Sequence, residues 1–401
     1  MAQRVVLVGA GVMGLSCAVR LAEAGYAVDV LAKDLPRETA SARAPGLWLP
    51  PPGARDTDRS DTDPRVRRFA LGTLAELRRL SSLDGTGVRL VEGYLLHAVE
   101  APLPAWVSGL GPDMAAEAVR DPAPGYPFGF RLVSPVVDMP VYLEYLRARL
   151  LEAGGTLTRL ALQGLPRQGL VVNCSGPAAR ALVPDPRVRP AVEQTVLLGG
   201  VRVGQWYRDA DRGGAQLRYL VPHGERTVVG GIVHEGVWKA DLDPADGRRL
   251  VGWARDVEPA LEGAEILGHR SDPRPAASRI RVGTEHHRED GEEPVRTRGP
   301  ATGPGRGAEE QASAGASGRF CARRFPGLLR VHCYGSGDRG LTLSWGCAGE
   351  VLRTLNSMDQ ARGPTEHPGE HPAEHPGEPT TEHPAEHRAE PEDPSGARLS
   401  P

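Results

Sequence analysis

The chain has 401 residues and a formal net charge of −3. This length exceeds one small domain, and the charge gives no electrostatic reason to bind nucleic acid. No stretch approaches the roughly 18 consecutive apolar residues of a membrane-spanning helix, so we expect no membrane partner. Five cysteines in so long a chain predict reduced thiols in a cytoplasmic protein rather than a disulfide framework.

The N-terminal residues predict a strand, a glycine turn, a helix and a second strand. Residues 5–8 form a short buried run, Gly25 ends the helix, and residues 28–31 form the second strand. The first strand runs directly into a glycine motif and not into a cleavage site, so it does not predict a signal peptide.

The turn after the first strand is a GxGxxG motif. Its first glycine makes a tight turn, the second lets the backbone approach a pyrophosphate, and the third lets helix and strand pack closely. The N-terminus of the next helix favours the phosphate through its N–H groups and its dipole. The predicted dinucleotide-binding residues are Gly9, Ala10, Gly11, Val12, Met13 and Gly14.

The residues after the second strand bear on which dinucleotide binds. Lys33 could meet a phosphate or the ribose, and Asp34 could bind the adenosine ribose or be a solvated turn residue. A loop of small residues then follows over 39–50, closed by Trp48. Because no second strand–helix–strand unit comes directly after the first, the pattern favours FAD over a nicotinamide cofactor.

Further elements follow in chain order. Apolar periodicity predicts helices near 64–81 and 140–153, and a buried strand at 171–172. Residues 194–234 predict antiparallel strands, residues 328–333 a late strand, and residues 341–355 a helix. The alternation of strands and helices predicts an α/β protein.

Two segments differ in composition from the rest. Residues 284–318 have almost no large apolar side chains, which predicts a disordered insertion. Residues 359–401 carry a Glu-His-Pro-x pattern whose prolines favour an extended, solvated tail. The tail histidines could hold a metal weakly, but the favoured interpretation is a disordered tail with no metal site.

Four segments together resemble the D-amino-acid oxidase family. They are the GxGxxG start with residues 32–36, the loop ending at 46–48, residues 171–176, and residues 331–340 followed by Gly346-Cys347-Ala348. The last is the most specific, and the spacing matches throughout. The resemblance covers residues 4–282 and 328–355.

The resemblance implies FAD as cofactor and two structural parts. One is a Rossmann-type FAD-binding domain built from separated pieces of chain, and the other is a mixed sheet that covers the flavin ring. Together they take residues 1–283 and 319–358. Besides the GxGxxG residues, the implied cofactor contacts are Lys33, Asp34, Thr39, Ser41, Gly46, Leu47, Ser175, Gly337, Asp338, Gly340, Leu341 and Thr342.

The resemblance also implies the reaction and its residues. Arg274 matches the arginine that binds the substrate carboxylate, Tyr219 matches an active-site tyrosine, and Asp338 sits where a backbone carbonyl faces the amine. No histidine or carboxylate stands out as a general base, which fits direct hydride transfer to the flavin. The implied activity is oxidation of D-amino acids, neutral or apolar, to 2-oxo acids, ammonia and hydrogen peroxide.

Departures from the family pattern leave different activities open. Residues 276–278 replace a second Arg-Pro, and Asp338 and Cys333 stand where the family prefers other residues. A D-aspartate oxidase would need a further cation, for which the candidates are Arg202, Arg218 and Arg339. A glycine or sarcosine oxidase and a catalytically impaired FAD-binding relative also stay open.

The remaining expectations concern partners and thiols. We expect a D-amino acid and oxygen as small-molecule partners, and the sequence leaves a homodimer open. Cys333 and Cys347 lie in the flavin signature, but buried structural thiols are far commoner than covalent flavin links, so we expect non-covalent FAD. The short stretch between Gln205 and Tyr219 predicts that a long active-site lid is absent.

Overall fold

The computed structural model describes residues 2–49, 64–103, 115–212, 215–277, 280–286 and 328–362. The α-helices are α1 Val12–Glu23, α2 Ala40–Arg43, α3 Pro64–Ser81, α4 Met139–Glu152, α5 Ala179–Leu182, α6 Pro244–Val257 and α7 Gly340–Arg362. The first seven strands are β1 Arg4–Val8, β2 Ala27–Ala32, β3 Val88–His97, β4 Glu117–Ala123, β5 Tyr126–Val137, β6 Thr156–Arg159 and β7 Leu170–Asn173. The others are β8 Val188–Gly199, β9 Trp206–Asp209, β10 Gln216–His223, β11 Arg226–Glu235, β12 Glu265–Ala277, β13 Arg281–His286 and β14 Leu329–Tyr334.

The first sheet is six-stranded, in the order β13-β14-β7-β1-β2-β6. Its central strands β14, β7, β1 and β2 run parallel, as does the edge strand β6, while β13 is antiparallel to β14. Buried Val, Leu and Ile residues are the expected content of a parallel sheet covered by helices, and Val5, Leu7 and Val172 are fully buried. Helices α1 and α4 pack against each other beside it, so the predicted Rossmann-type domain is confirmed.

The second sheet has eight strands in the order β12-β8-β11-β10-β9-β3-β5-β4. Helix α6 covers one face, where its Leu250, Trp253 and Ala254 join a buried cluster. The opposite face carries Tyr219 in another buried cluster, against which Leu47 from the loop after α2 packs. This second face therefore lies toward the loop that follows the dinucleotide motif.

The predicted boundaries of the two low-complexity segments need correction. Residues 284–286, expected in the disordered insertion, complete strand β13 and pair with β14. Residues 359–362, expected in the tail, continue α7. The predicted insertion beyond residue 286 and the tail beyond residue 362 lie outside the described residues. None of the described helices is long and apolar enough to cross a membrane.

A buried carboxylate joins β14 to the loop after α5. Asp185 accepts hydrogen bonds from the Arg187 guanidinium at 2.7 and 2.8 Å and from the Tyr334 hydroxyl at 2.8 Å. The bond from Arg187 is the main reason that the pKa of Asp185 lies well below its usual range. Burial, together with the Asp185 carboxylate, raises the pKa of Tyr334 to about 12.

Replacing Asp185 with asparagine should lower the free energy of unfolding at pH 7 by about 2–3 kcal/mol, because charge-assisted hydrogen bonds are lost. The carboxylate stabilises the fold only while it is ionised. Its contribution is therefore complete above the unfolded pKa of about 4 and declines as the pH falls further toward the folded pKa. Urea unfolding at pH 7 and pH 3 checks this, with the exposed Asp84→Asn as control. A wild-type advantage equally large at pH 3 would contradict the assignment.

Candidate functional site

Four predicted cofactor segments meet at one edge of the first sheet. Gly9 follows β1, Lys33 follows β2, Ser175 lies just beyond β7, and residues 335–340 follow β14. The four strands are parallel neighbours, so their carboxyl ends lie side by side. In open α/β sheets, this edge is where ligands bind.

The GxGxxG turn is packed too tightly for any side chain at two of its glycines. Gly9 has φ +112°, and a Cβ there would lie 2.4 Å from the Cys174 carbonyl oxygen. A Cβ at Gly14 would lie 2.0 Å from the Gly9 carbonyl oxygen. Because neither glycine carries a side chain, the turn packs closely against the residue after β7 and against the start of α1.

The start of α1 suits an anionic group. Its N-cap is Gly11, and its first turn contains no acidic residue. The Val12 N–H donates to the Ser41 hydroxyl at 3.0 Å, which brings the predicted contact residue Ser41 to this helix end. Helix N–H groups and the helix dipole favour a phosphate here, so these residues fit the pyrophosphate of FAD.

The other early contact residues lie along the chain after β2. Lys33 and Asp34 are exposed at the tip of that strand. Thr39 precedes α2, and its hydroxyl donates to the Pro36 carbonyl at 2.7 Å. The structure therefore places Lys33 and Asp34 in solvent beside the sheet edge, and Thr39 in a local turn.

The loop at Gly46 and Leu47 links the two sheets. Gly46 has φ +76°, and a Cβ there would lie 1.9 Å from the Val137 carbonyl oxygen. Leu47 forms an isolated bridge with Val136 at the end of β5. The backbone of this loop is thereby fixed against the end of β5 in the second sheet.

The C-terminal signature forms a short turn that leads into α7. Residues Gly337–Arg339 make a 3₁₀ turn, and α7 begins at Gly340. Asp338 is exposed in this turn, whereas Leu341 and Thr342 are buried. The Thr342 hydroxyl donates to the Leu49 carbonyl at 3.1 Å, which ties α7 to the loop at Gly46.

Polar contacts fix the ends of β7 and β14 against each other. The Ser175 hydroxyl donates to the Asn173 side-chain oxygen at 2.6 Å, and the Asn173 amide nitrogen lies 3.3 Å from His332 Nδ1. Both Asn173 and His332 are fully buried. Ser175, predicted as a cofactor contact, is therefore held at the carboxyl end of β7, next to β14.

The thiols of the signature are part of the core. Cys17, Cys174, Cys333 and Cys347 are all buried and unpaired by disulfides. Burial in an apolar core is the usual state of a structural cysteine. Cys333 and Cys347 are buried, as predicted, and a purely structural role for them stays a prediction.

Tyr219 lies on the second sheet beside a carboxylate that the sequence motifs do not reveal. Its hydroxyl donates to Glu193 Oε1 at 2.8 Å. A Cβ at Gly230 would lie 2.2 Å from the Tyr219 hydroxyl, and a Cβ at Gly231 would lie 2.0 Å from Glu193 Oε1. The two side chains therefore lie flat across the glycine pair of β11. In the sequence, this site could have been found only from one feature: the acidic residue Glu193 stands between Val192 and Gln194 within a strand.

A second residue that the motifs miss is Arg208 on β9. It stands directly opposite Tyr219 in the β9–β10 pairing, so the two share a face of the sheet. Burial lowers the pKa of the Arg208 guanidinium, and the charges of Asp338 and Glu193 act in the opposite direction. Arg208 is thus a half-buried cation within electrostatic reach of the turn before α7.

The three arginines named from the sequence have other positions. Arg202 is exposed and lies 3.9 Å from Glu225. Arg218 precedes Tyr219 in β10, so it points to the opposite face, and Arg339 belongs to the 3₁₀ turn. Among the described side chains, Arg208 is the cation that pairs directly opposite Tyr219.

The structure describes the backbone position of Arg274 but not its side chain. It lies in β12 opposite Ala191 of β8, two residues beyond the pairing of Asp272 with Glu193. Its side chain lies outside the described residues, so its role remains a prediction. Asp272 is half-buried, burial raises its pKa, and Arg43 approaches it at 3.3 Å.

Most of the chain matches one known protein family. The profile described as FAD dependent oxidoreductase matches residues 4–353. The chain belongs to this family of FAD-dependent oxidoreductases. The resemblance inferred from the four motifs is thereby confirmed, and so is FAD as the cofactor.

Relatives of this FAD-dependent oxidoreductase include two bacterial proteins named D-amino-acid oxidase. The one from Rubrobacter xylanophilus is 35% identical over 356 residues, covering 87% of this chain and 94% of the relative. The one from Streptomyces coelicolor is 32% identical, covering 87% and 95%. Human D-aspartate oxidase is 27% identical, covering 89% and 96%.

Solved structures confirm the fold of this oxidoreductase. Glycine oxidase from Geobacillus kaustophilus superposes with a TM-score of 0.63 at 17% identity, covering 89% of this chain and 95% of that one. L-α-glycerophosphate oxidase from Mycoplasma pneumoniae, solved with FAD bound, gives a TM-score of 0.60 at 13% identity, covering 89% and 95%. The α/β architecture of two mixed sheets is that of FAD oxidases.

Proposed function

We propose that the protein oxidises D-amino acids to 2-oxo acids, ammonia and hydrogen peroxide. The observation that carries the proposal is the placement of Tyr219 on the sheet face that lies toward the FAD-binding loop. Relatives named D-amino-acid oxidase at 35% and 32% identity support it. Neutral or apolar side chains are the proposed substrate class.

The chain's own residues would bind and orient the substrate. When bound, FAD supplies the two-electron acceptor for the substrate Cα–H bond and passes the electrons to oxygen. We infer that the Arg274 guanidinium binds the α-carboxylate through two parallel N–H donors. The backbone carbonyl at Asp338 would accept from the amine. With both groups fixed, a single enantiomer presents its Cα–H to the flavin.

Tyr219 has a more specific role than the sequence predicted. A phenol has one O–H donor, and that donor is bonded to Glu193. Donation to the substrate carboxylate therefore requires the Glu193 bond to break, whereas the phenol oxygen can accept a hydrogen bond without any change. Tyr219 is accordingly proposed as a wall of the pocket whose hydroxyl is oriented by Glu193.

The other proposed contacts follow the geometry of the sheet edge. The pyrophosphate would be held by Gly9 to Gly14 and Ser41. The adenosine end of FAD would be held by Lys33 and Asp34, and the flavin would be held by residues 337–342. The proposed catalytic core joins residues 1–283 with 319–358, and the domain boundaries remain proposals.

A second candidate function is oxidation of acidic D-amino acids. Arg208 is the observation that favours it, because a half-buried guanidinium beside Tyr219 could bind a second carboxylate. The relative named human D-aspartate oxidase supports it at 27% identity. The two candidates differ in whether D-alanine or D-aspartate is the better substrate.

Product analysis tests the proposed function. Purified protein with D-alanine in air should form pyruvate, ammonia and hydrogen peroxide in equal amounts. With D-aspartate under the same conditions, the rate should be lower. Failure to form a keto acid from any of a panel of neutral, basic and acidic D-amino acids would refute the proposal. A faster reaction with D-aspartate would establish the second candidate.

A further inference from the structure

Three thiols from separate elements converge in the hydrophobic core beside the first sheet. Cys17 lies on α1, Cys174 directly follows β7, and Cys333 lies on β14. Their sulfur atoms all lie within 4.8 Å of one another, and the sulfurs of Cys17 and Cys333 are 4.0 Å apart. Among the described residues, this is the one group of three or more cysteine, histidine or carboxylate side chains whose donor atoms approach closely enough to share a metal ion.

Strand pairing brings two of these thiols together. Asn173 of β7 pairs in parallel with His332 of β14, so the residues that follow them, Cys174 and Cys333, lie at adjacent strand ends. The Cys174 N–H also donates to the Val8 carbonyl at 2.9 Å, which fixes Cys174 against β1. The backbone therefore sets this part of the cluster without help from the side chains.

The surroundings of the three thiols are apolar. Cys17 and Cys333 have no exposed surface, Cys174 is 5% exposed, and all three belong to the hydrophobic core. The cluster therefore offers sulfur ligands and gives water no access as a further ligand. A fourth thiol, Cys347, interacts with Cys333 but is not one of the three whose sulfurs all lie within 4.8 Å of one another.

The number and spacing of the sulfurs suit a soft metal ion with three ligands. A metal bonded to three coplanar sulfurs at about 2.3 Å, the length of a zinc–thiolate bond, sets them about 4.0 Å apart. That is the separation of the Cys17 and Cys333 sulfurs. Thiolates are the preferred ligands of copper(I), zinc and iron–sulfur clusters. Structural zinc and iron–sulfur clusters usually take four protein ligands, so three sulfurs in a dry core favour copper(I).

We propose that Cys17, Cys174 and Cys333 form a binding site for copper(I). Each thiol that becomes a ligand releases its proton and forms a sulfur–copper bond, with no change in oxidation state. The bound ion joins α1 to the ends of β7 and β14. Cys174 also packs against the GxGxxG turn, because its carbonyl oxygen lies 2.4 Å from a Cβ placed at Gly9. The ion therefore clasps the elements that carry the pyrophosphate turn.

Copper content tests the site directly. The full chain is produced in cells grown with added copper, so that the metal can enter while the chain folds, and is purified without oxygen in the presence of the copper(I) chelator bicinchoninate. Wild type should retain about one copper ion per chain, whereas Cys17→Ala and Cys333→Ala should each retain less than about a tenth of that amount. The matched control is Cys321→Ser, which removes the fifth cysteine of the chain and should keep the wild-type content.

X-ray absorption at the copper edge identifies the ligands in wild type. The tail histidines His367, His371, His375, His383 and His387 could also bind copper, but they would do so through nitrogen. We expect the sulfurs of the cluster as the copper neighbours, and no nitrogen. Circular dichroism of the same samples shows whether each variant has folded.

The outcomes decide the inference without reference to turnover. Wild type that holds no copper after this purification, or folded cysteine variants that hold as much as wild type, would overturn it. Copper bound through nitrogen would overturn it as well. If one cysteine variant does not fold, the other variant and the ligands found in wild type still decide. Because D-alanine oxidation plays no part in these measurements, failure of the proposed function would leave the copper site standing.

Discussion

Gly14→Ala should leave the purified protein almost without FAD. The new methyl group, in the first turn of α1, would lie 2.0 Å from the Gly9 carbonyl oxygen, a backbone atom of the turn that must hold the pyrophosphate. The turn and α1 would have to separate to relieve this contact. We expect FAD affinity to fall by about a hundredfold, which corresponds to about 2.7 kcal/mol.

The matched control is Gly252→Ala in α6. Nothing lies within 4 Å of a Cβ at that position, and alanine is the better helix former there. That variant should keep its full complement of FAD. The measurement is the ratio of flavin to protein absorbance after purification, followed by titration with added FAD. Gly14→Ala protein with normal FAD content would show that this turn does not hold the cofactor.

Arg274→Met should raise the KM for D-alanine strongly while FAD remains bound. Losing a charge-assisted, bidentate bond to the α-carboxylate removes about 1.5–3 kcal/mol, which is about ten- to 150-fold in kcat/KM. The methionine keeps much of the length and apolar stem of the arginine. Steady-state kinetics by peroxide release, with FAD content measured in parallel, checks the prediction.

Arg208→Met is the matched variant for this test, because it removes the other candidate cation. We expect it to lower kcat/KM for D-alanine less than about fivefold, since the neutral substrate has one carboxylate and that group is assigned to Arg274. If the larger loss occurs in Arg208→Met and Arg274→Met is close to wild type, the carboxylate-binding assignment belongs to Arg208.

The elements that were predicted from the sequence have strong local periodicity. Strand β1, helix α1 and strand β2 follow directly from a buried run, a glycine turn and a second buried run. Helices α3 and α4 and strand β14 also lie where their apolar patterns indicate. The cofactor segments could be placed at one sheet edge because parallel strands share their carboxyl ends.

Other strands were missed because their sequences resemble loops. Strands β4 and β12 contain prolines at Pro122, Pro273 and Pro275. Strand β12 forms one edge of the second sheet and β4 forms the other. An edge strand can accommodate a residue without an N–H. Strand β13 begins beside a polar segment and is defined by its pairing with β14, which no local pattern shows.

The charged residues of the substrate face required three-dimensional information. Glu193, Arg208 and Tyr219 come from β8, β9 and β10, which are consecutive in the chain, but β11 lies between β8 and β10 in the sheet, so their proximity depends on strand order and register. A sequence pattern indicates which face of the sheet each side chain lies on, but it does not show which strands are neighbours in the sheet. Resemblance identified Tyr219, because its local motif is distinctive, whereas Arg208 belongs to no motif.

We expect this oxidoreductase to take electrons from a D-amino acid into its flavin. The most direct test is the flavin absorbance of purified protein mixed without oxygen with D-alanine and, separately, with L-alanine. We predict that D-alanine bleaches the flavin and L-alanine does not, and that admitting oxygen restores the absorbance. A flavin that neither D-alanine nor any other D-amino acid bleaches, or that L-alanine bleaches instead, would contradict the account.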